Sequence, residues 1–172
     1  MVIKLGLAAN SGFQDVIDEI EHFEAHFHNK ERWYGVIAGN NEVNAIQDNL
    51  TPFRTTSGNG VYGAGVCVMG TSDVLVPGMV KFDLHKILIK DTQKAELNKY
   101  RLAWGTGTEA EAITAGNYST FMLNPVVATG RTVSDQIMCP KLANGTKVWI
   151  SVRTVTSTQW VDFFIGGHGY PV

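Results

Sequence analysis

The sequence predicts a mainly β domain, an antiparallel β-sandwich preceded by an N-terminal arm and one amphipathic helix. Short apolar runs separated by Gly, Pro, Asn, Ser and Thr follow one another after Trp33, as in all-β domains. One long stretch has helical periodicity, and it lies before Trp33. Charged residues make up only 17% of the chain, so uncharged polar residues must cover much of the surface. This composition is typical of a rigid β scaffold or of a subunit covered by its neighbours.

The N-terminal region is predicted to form an extended arm over residues 1–12, followed by a helix. Ser11 is suited to the N-cap, and acidic residues near the start and basic residues near the end complement the helix dipole. The apolar residues of this stretch recur at spacings of three and four: Phe13, Val16, Ile17, Ile20, Phe23 and Phe27. We therefore divide the chain into an arm and helix over residues 1–33 and a β-sandwich domain over residues 34–172.

Five segments have the clearest strand pattern, namely residues 80–89, 100–104, 119–123, 147–155 and 160–166. In KVWISVRTV, apolar residues alternate with others, which predicts a half-buried strand. The segment TSTQ, residues 156–159, is predicted to connect the last two strands as a hairpin. Between Leu84 and Ile87 the alternating apolar residues change from even-numbered to odd-numbered positions. This change predicts a β-bulge or a change of partner sheet.

The connection TEAEAITAG, residues 108–116, is predicted to form one helical turn that Gly116 could cap. Seven or more short strands with long connections favour a sandwich. A jelly roll is the favoured arrangement among sandwiches, and an open barrel is the alternative.

Charge and hydropathy exclude two classes of partner. The formal net charge of −2 gives no basic footprint for nucleic acid. No apolar run approaches membrane-spanning length, and the first residues do not match a signal peptide, so no membrane partner is expected. Cys67 and Cys139 share no CxxC spacing and are predicted to be small buried hydrophobes, with a disulfide left open.

The densest group of metal-ligand residue types lies in EHFEAHFHNKE, where His22 and His26 share a helical face. Phe23 stands where an HExxH metalloprotease would have its glutamate, so that enzyme class is disfavoured. We expect these histidines, with His28, to flank the apolar stripe and to meet solvent or a neighbouring subunit. Whether they bind a metal is left open.

Other motifs are assigned to structure and not to chemistry. Gly58, Gly60 and Gly63 form a GxGxxG pattern, but a strand-like run follows it where a phosphate loop needs a helix. There is no GxSxG motif, His85 and His168 each stand alone, and His168 in GGHGY is predicted to lie in a turn or a C-terminal tail. The sequence therefore predicts no catalytic residue, no cofactor-binding residue and no metal ligand.

Aromatic residues near the predicted helix are candidates for an interface, because such side chains are enriched at binding hot spots. Trp33, Tyr34 and Phe53 lie in loop-like surroundings, and the alternative is that they cap the core beneath the helix. The complete set of possible interface residues is Phe23, His26, Phe27, His28, Trp33, Tyr34 and Phe53.

Several segments spread from about residue 20 to the end carry a family resemblance: HFHNKERWYG, DNLTPFRTTSGNGVYGAG, MVKFDLHKILI, LAWGTG, VWISV and DFFIGGHGY. With these segments the chain resembles the head decoration, or cement, proteins of tailed bacteriophages. The resemblance implies a β-rich, non-enzymatic structural protein of the virion surface, without a cofactor. It also implies a homotrimer that binds the major capsid protein and clamps its junctions.

Two other functions remain open. One is a receptor- or glycan-binding module of a phage head or tail fibre, in which Trp104, Trp149, Trp160 and Tyr170 would form a sugar-stacking face. The other is a cupin-like metalloenzyme, which would require histidines and a glutamate to meet on neighbouring strands.

Overall fold

Two β-sheets packed face to face form the described part of the chain, with one short helix against the outside of the smaller sheet. The computed structural model describes residues 20, 32–37, 40–45, 51–70, 79–94, 96–123, 133–155 and 158–171. The predicted arm and nearly all of the predicted N-terminal helix lie outside these residues. Ile20 is helical and 48% exposed. No helix in the described ranges is long and apolar enough to cross a membrane.

The larger sheet has seven strands in the order β10-β6-β12-β1-β2, with β3 also pairing with β12 and β9 with β6. Its strands are β1 (Arg32–Ile37), β2 (Asn40–Ala45), β3 (Phe53–Thr56), β6 (Met79–Thr92), β9 (Val133–Gln136), β10 (Leu142–Ala143) and β12 (Trp160–Pro171). The long strands β6 and β12 pair antiparallel along most of their length and form the spine of this sheet. β1 begins at Arg32, just before the predicted domain boundary.

The smaller sheet has five strands in the order β4-β11-β7-β8, with β5 also pairing with β11. Its strands are β4 (Gly58–Asn59), β5 (Val66–Met69), β7 (Asn98–Gly105), β8 (Tyr118–Leu123) and β11 (Lys147–Thr154). The pairing of β4 with β11 is parallel, whereas β5, β7 and β8 join the sheet through antiparallel pairs.

Side chains from both sheets meet in one apolar core, which confirms the predicted β-sandwich. Leu84 and Phe163 come from the larger sheet and Leu102 and Ile150 from the smaller one, and all four are fully buried. Burial of such side chains is the main favourable contribution to folding. The jelly-roll arrangement of the strands stays a prediction.

The helix α1 (Glu109–Thr114) lies where the sequence predicted a helical turn. The Thr108 hydroxyl accepts a hydrogen bond from the Glu111 N–H, and the Glu111 carboxylate accepts one from the Thr108 N–H, forming a capping box. The hydrogen bonds that the Glu111 carboxylate accepts from the Thr108 N–H and from the Thr108 hydroxyl lower the pKa of Glu111. Ala112 of α1 packs with Trp149 and Ala103 on the outer face of the smaller sheet.

One connection differs from the prediction. Residues 156–159 do not close a hairpin, because β11 belongs to the smaller sheet and β12 to the larger one. Gln159, just before β12, is 1% exposed, and its side-chain amide donates to Asn98 Oδ1 of β7 at 2.7 Å. The chain therefore crosses between the sheets at this point, and a buried amide pair marks the crossing.

The predicted irregularity in β6 is a β-bulge. Gly166 of β12 pairs with Lys86, and the next residue, Gly167, pairs with Leu84, so His85 is the extra residue of β6. A Cβ on Gly167 would lie under 3.0 Å from the Asp83 carbonyl oxygen, so glycine permits the close approach of the two strands here.

Candidate functional site

Two of the predicted interface residues are part of the core. Tyr34 and Phe53 are each 1% exposed and belong to the central apolar cluster, so they offer no side-chain surface to a partner. Their burial agrees with the core placement in the alternative, whereas the helix beneath which they were expected to lie is outside the described residues. Trp33 is half-buried on β1, opposite Gly166 of β12. The remaining predicted interface residues, Phe23, His26, Phe27 and His28, lie outside the described residues.

The four aromatic residues considered for sugar stacking do not share one face. Trp104 and Trp149 lie on adjacent strands of the smaller sheet, but Trp104 packs against the central core and Trp149 packs under α1. Trp160 and Tyr170 lie near opposite ends of β12 in the other sheet. The stacking platform predicted for a glycan-binding module is therefore wrong as a set.

The glycine-rich segment lies along strand β11. The N–H groups of Gly60 and Gly63 donate to the carbonyls of Thr154 and Val152 at 2.9 and 3.0 Å. These donors are thus used by strand β11 and do not point into an anion site. The strand β5 follows the segment, where a phosphate loop would require a helix.

A polar cluster that the sequence analysis did not predict lies on the outer face of the larger sheet. Its members are Asp83 and His85 of β6 and His168 and Tyr170 of β12. Phe82 and Leu84 point into the core, so their neighbours Asp83 and His85 lie on the opposite face of the sheet. His168 pairs directly with Asp83 in the strand register, which brings the three ionisable groups together.

The Asp83 carboxylate is the centre of this cluster. Its Oδ2 atom accepts a hydrogen bond from the Tyr170 hydroxyl at 2.7 Å, and Oδ1 accepts one from the His168 N–H at 3.3 Å. The Nδ1 atoms of His85 and His168 lie 3.5 and 3.7 Å from the same Oδ1. The two imidazole rings stack with their centroids 4.2 Å apart and an interplanar angle of 30°.

Burial makes the electrostatics of the cluster strong. His168 is 2% and Asp83 7% exposed, and His85 is partly buried. Burial by itself would raise the pKa of Asp83, but hydrogen bonds from His85 and Tyr170 and the charges of both histidines outweigh it, so the pKa is lowered. Asp83 therefore stays a carboxylate. Beside it, the Tyr170 ring is contacted by Lys141, whose ammonium group lies 4.1 Å from the ring centre.

Cys139 lies next to this cluster, beside the Leu84 backbone. Burial raises the pKa of its thiol to about 12; the Leu84 backbone hydrogen bond opposes this rise, and the Asp83 charge adds to it. Both Cys139 and Cys67 are free thiols, as the sequence favoured over a disulfide. A protonated thiol is a poor nucleophile, and Cys139 packs against the central apolar core.

The ligand atoms of Asp83, His85 and His168 lie within 4.8 Å of one another, which is the arrangement that could hold a metal ion. Two imidazole nitrogens and one carboxylate oxygen form a donor set suited to zinc and related divalent ions. The sequence predicted no metal ligand here, because each histidine stands alone in its own strand. One signal was present: Asp83 and His85 are two apart, on one strand face, at the predicted irregularity.

A second surface feature lies at the edge of the smaller sheet. Tyr118 and Met122 of β8 are 43% and 62% exposed on the outer face of that strand, and Met138 is 84% exposed. The Ser119 hydroxyl donates to the Met138 carbonyl at 2.8 Å, so the Met138 backbone lies beside β8. We call Tyr118, Met122 and Met138 the β8 patch. Among the described strands, β8 pairs on one side only, with β7.

Comparisons with known proteins assign the chain to no family. No protein family matches the sequence, and no curated protein is significantly similar to it. A chain from Desmodium yellow mottle tymovirus is similar in structure, with 16% sequence identity and a TM-score of 0.29. The similarity covers 71% of this chain and 86% of the tymovirus chain.

Proposed function

We propose that this chain is a structural, non-enzymatic virion protein that decorates a tailed-phage capsid by binding the major capsid protein. The observation that carries the proposal is the β8 patch, three large apolar side chains exposed on and beside a strand that is an edge strand among those described. Exposed apolar groups of this kind mark protein contact sites on otherwise polar surfaces.

The architecture around the patch supports docking over catalysis. The β8 strand is anchored to β7 by six consecutive register pairs, from Asn98 with Leu123 to Ala103 with Tyr118. Beneath it, Phe121 stacks on the buried Tyr100 with ring centroids 5.2 Å apart. A rigid strand loses little conformational entropy on binding, so exposed side chains that it presents can contribute efficiently to affinity.

The partner in this proposal, the major capsid protein, is the one that the family resemblance implies. Its segments correspond to strands and turns of the sandwich, including β3, β6, β7, β11 and β12. Cement proteins of this kind are typically trimeric, and we include a homotrimer in the proposal. Three linked copies would convert a thin apolar contact into stable attachment, because the second and third contacts form within one complex.

Binding to capsids that lack the decoration protein tests the proposal. We expect the wild-type chain to co-sediment with capsid shells at saturable stoichiometry and to form trimers in native mass spectrometry. Met122→Asp and Met138→Asp place a charge in the β8 patch and should weaken capsid binding at least about tenfold, since burying an unpaired charge is costly.

Val61→Asp is the matched control. Val61 is also a large exposed apolar residue, at 65%, but it follows β4 at the opposite edge of the smaller sheet. This variant should bind capsids like the wild type. A wild-type chain that ignores capsids, or equal losses from Val61→Asp and the patch variants, would contradict the proposal.

A cupin-like metalloenzyme is the second candidate, and one observation favours it: the Asp83, His85 and His168 ligand atoms converge. Cupins place such ligands on neighbouring strands, as here, although the carboxylate is an aspartate and not a glutamate. Metal-dependent turnover of a small-molecule substrate by the isolated chain, without affinity for capsids, would favour this candidate over decoration.

A further inference from the structure

We propose that Asp83, His85 and His168 form a binding site for one divalent transition-metal ion, with zinc as the preferred ion. The bound ion would link β12 to β6. This inference is independent of the capsid-binding proposal. It begins from the strand register, because the direct pairing of His168 with Asp83 and the bulge at His85 place all three side chains at one point.

The distances between the ligand atoms suit such an ion. Zinc binds imidazole nitrogen and carboxylate oxygen at roughly 2.0–2.1 Å, so tetrahedral ligands stand about 3.3 Å apart. The separations from Asp83 Oδ1 to the two Nδ1 atoms, 3.5 and 3.7 Å, exceed that value only slightly. The two imidazole rings are stacked at an interplanar angle of 30°, so they would rotate about χ2 on metal binding to turn both nitrogens toward a common ion.

The kind of donor selects the class of ion. Calcium and magnesium prefer sites made wholly of oxygen, whereas two imidazoles and one carboxylate suit zinc, cobalt, nickel or ferrous iron. Three protein ligands also leave a coordination position for water. Without a thiolate among the ligands, the set does not favour copper(I).

The surroundings complete the site. Tyr170 donates to Asp83 Oδ2 at 2.7 Å and so fixes the carboxylate with Oδ1 turned toward the histidines. Such a hydrogen bond to the outer oxygen of a ligating carboxylate is a common support for metal sites. His85 has 16% of its side chain exposed and provides the side from which an ion would enter.

The position of the site gives it a structural role. β12 continues to Pro171, and its last residues pair with the first half of β6 through a bulged register. A metal bound to one strand through His168 and to the other through Asp83 and His85 would fix that register. Metal binding would thus stabilise the C-terminal end of the fold, because only the folded state brings the ligands together.

The test is zinc titration of the untagged chain after removal of metals with a chelator. We expect one zinc ion per chain with submicromolar affinity, a rise in melting temperature with zinc, and a cobalt(II) visible spectrum of tetrahedral type. His85→Ala and Asp83→Asn should each abolish the stoichiometric site, and Tyr170→Phe should weaken affinity about 10- to 100-fold. Circular dichroism verifies that each variant is folded.

The N-terminal histidines require a matched control, since His22 and His26 are themselves possible ligands. The triple variant His22→Ala, His26→Ala and His28→Ala should keep the zinc ion and its cobalt spectrum. Absence of stoichiometric binding by the wild-type chain, or loss of the ion in the triple variant with retention in His85→Ala, would overturn the inference. If a cluster variant does not fold, the cobalt spectrum of the triple variant decides the matter, because that variant lacks the N-terminal histidines. Capsid binding is measured separately, so failure of one proposal is distinguishable from failure of the other.

Discussion

His85 and His168 lie far apart in the sequence, yet their imidazole rings stack with centroids 4.2 Å apart. Two features of the strand pair produce this contact. The bulge at His85 shifts the register of β6 by one residue, and Gly167 allows β12 to approach the Asp83 backbone closely. The same local geometry thus shapes the backbone and assembles the polar cluster. A change at Gly167 should therefore affect both the stability of the fold and the metal site.

The first prediction concerns Gly167. Gly167→Ala should lower the free energy of unfolding by about 2–3 kcal/mol or more, because its Cβ would collide with the Asp83 backbone, which cannot move independently of the strand. Gly145→Ala is the control: Gly145 has a φ of 86° but open space around it, so we expect a loss of only about 1–2 kcal/mol. Urea denaturation measures both, and equal losses would show that the close approach is unimportant.

The second prediction concerns the amide pair that marks the crossing between the sheets. Gln159→Ala should cost about 2–3 kcal/mol, because it leaves the buried Asn98 side chain and the Lys94 N–H without their partner at residue 159. The exposed neighbour Thr158 provides the control, and Thr158→Ala should change stability by less than about 0.5 kcal/mol. Urea denaturation again gives both values. A cost for Gln159→Ala no larger than that of the control would contradict a linking role.

The sequence was sufficient for much of the fold and insufficient for the site. The apolar alternation of β11 and the parity shift in β6 are local patterns, so the strands and the bulge could be predicted. The end of β12 could not, because GGHGYP has the composition of a turn. Its glycines serve the close approach to β6 instead. The hairpin prediction failed because adjacent strands in the sequence belong to different sheets.

The candidate site depends on register, which no local pattern encodes. Placing His168 opposite Asp83 requires knowing that β12 pairs with β6, across many intervening residues and with three register shifts. Burial of Tyr34 and Phe53 was similarly unpredictable, because an aromatic residue beside Gly or Pro is compatible with both a surface anchor and a core position. Pairing between strands that are distant in the sequence therefore determines both the candidate site and the burial of these aromatic residues.

The third prediction concerns the ion pair between β3 and β12. Arg54 donates from Nε and from a terminal nitrogen to the two carboxylate oxygens of Asp162, both at 2.7 Å, and its guanidinium lies 4.5 Å from the Trp160 ring centre. The hydrogen bond and the charge of Asp162 raise the pKa of Arg54. Since the Arg54 side chain is 60% exposed, solvent screens the pair, and we expect a coupling energy of about 0.5–1 kcal/mol.

A double-mutant cycle with Arg54→Ala and Asp162→Asn measures this coupling by urea denaturation. It should decrease at 1 M NaCl, because salt screens exposed charges. Arg54→Lys keeps the charge but not the two-point geometry, and it should lose part of the coupling. A coupling that is insensitive to salt would indicate that packing on Trp160, and not charge, holds Arg54 in place.

The last prediction concerns the two thiols. The pKa of Cys139, raised to about 12 by burial, leaves a thiolate fraction at pH 8 that is lower by on the order of a thousandfold than that of an ordinary thiol. In a Cys67→Ser variant, Cys139 should therefore react with a thiol-specific disulfide reagent at least about a hundredfold more slowly in the native state than in urea. The pKa of Cys67 is also raised by burial, but this residue is less enclosed, so it should react faster in a Cys139→Ser variant.

The raised pKa of Cys139 also makes the stability of the fold depend on pH. Because the folded state favours the protonated thiol, the contribution of Cys139 to stability is present below about pH 8.5 and is lost as the pH rises toward 12. Native reactivity of Cys139 equal to that of Cys67 would contradict its placement beside Leu84 and Asp83.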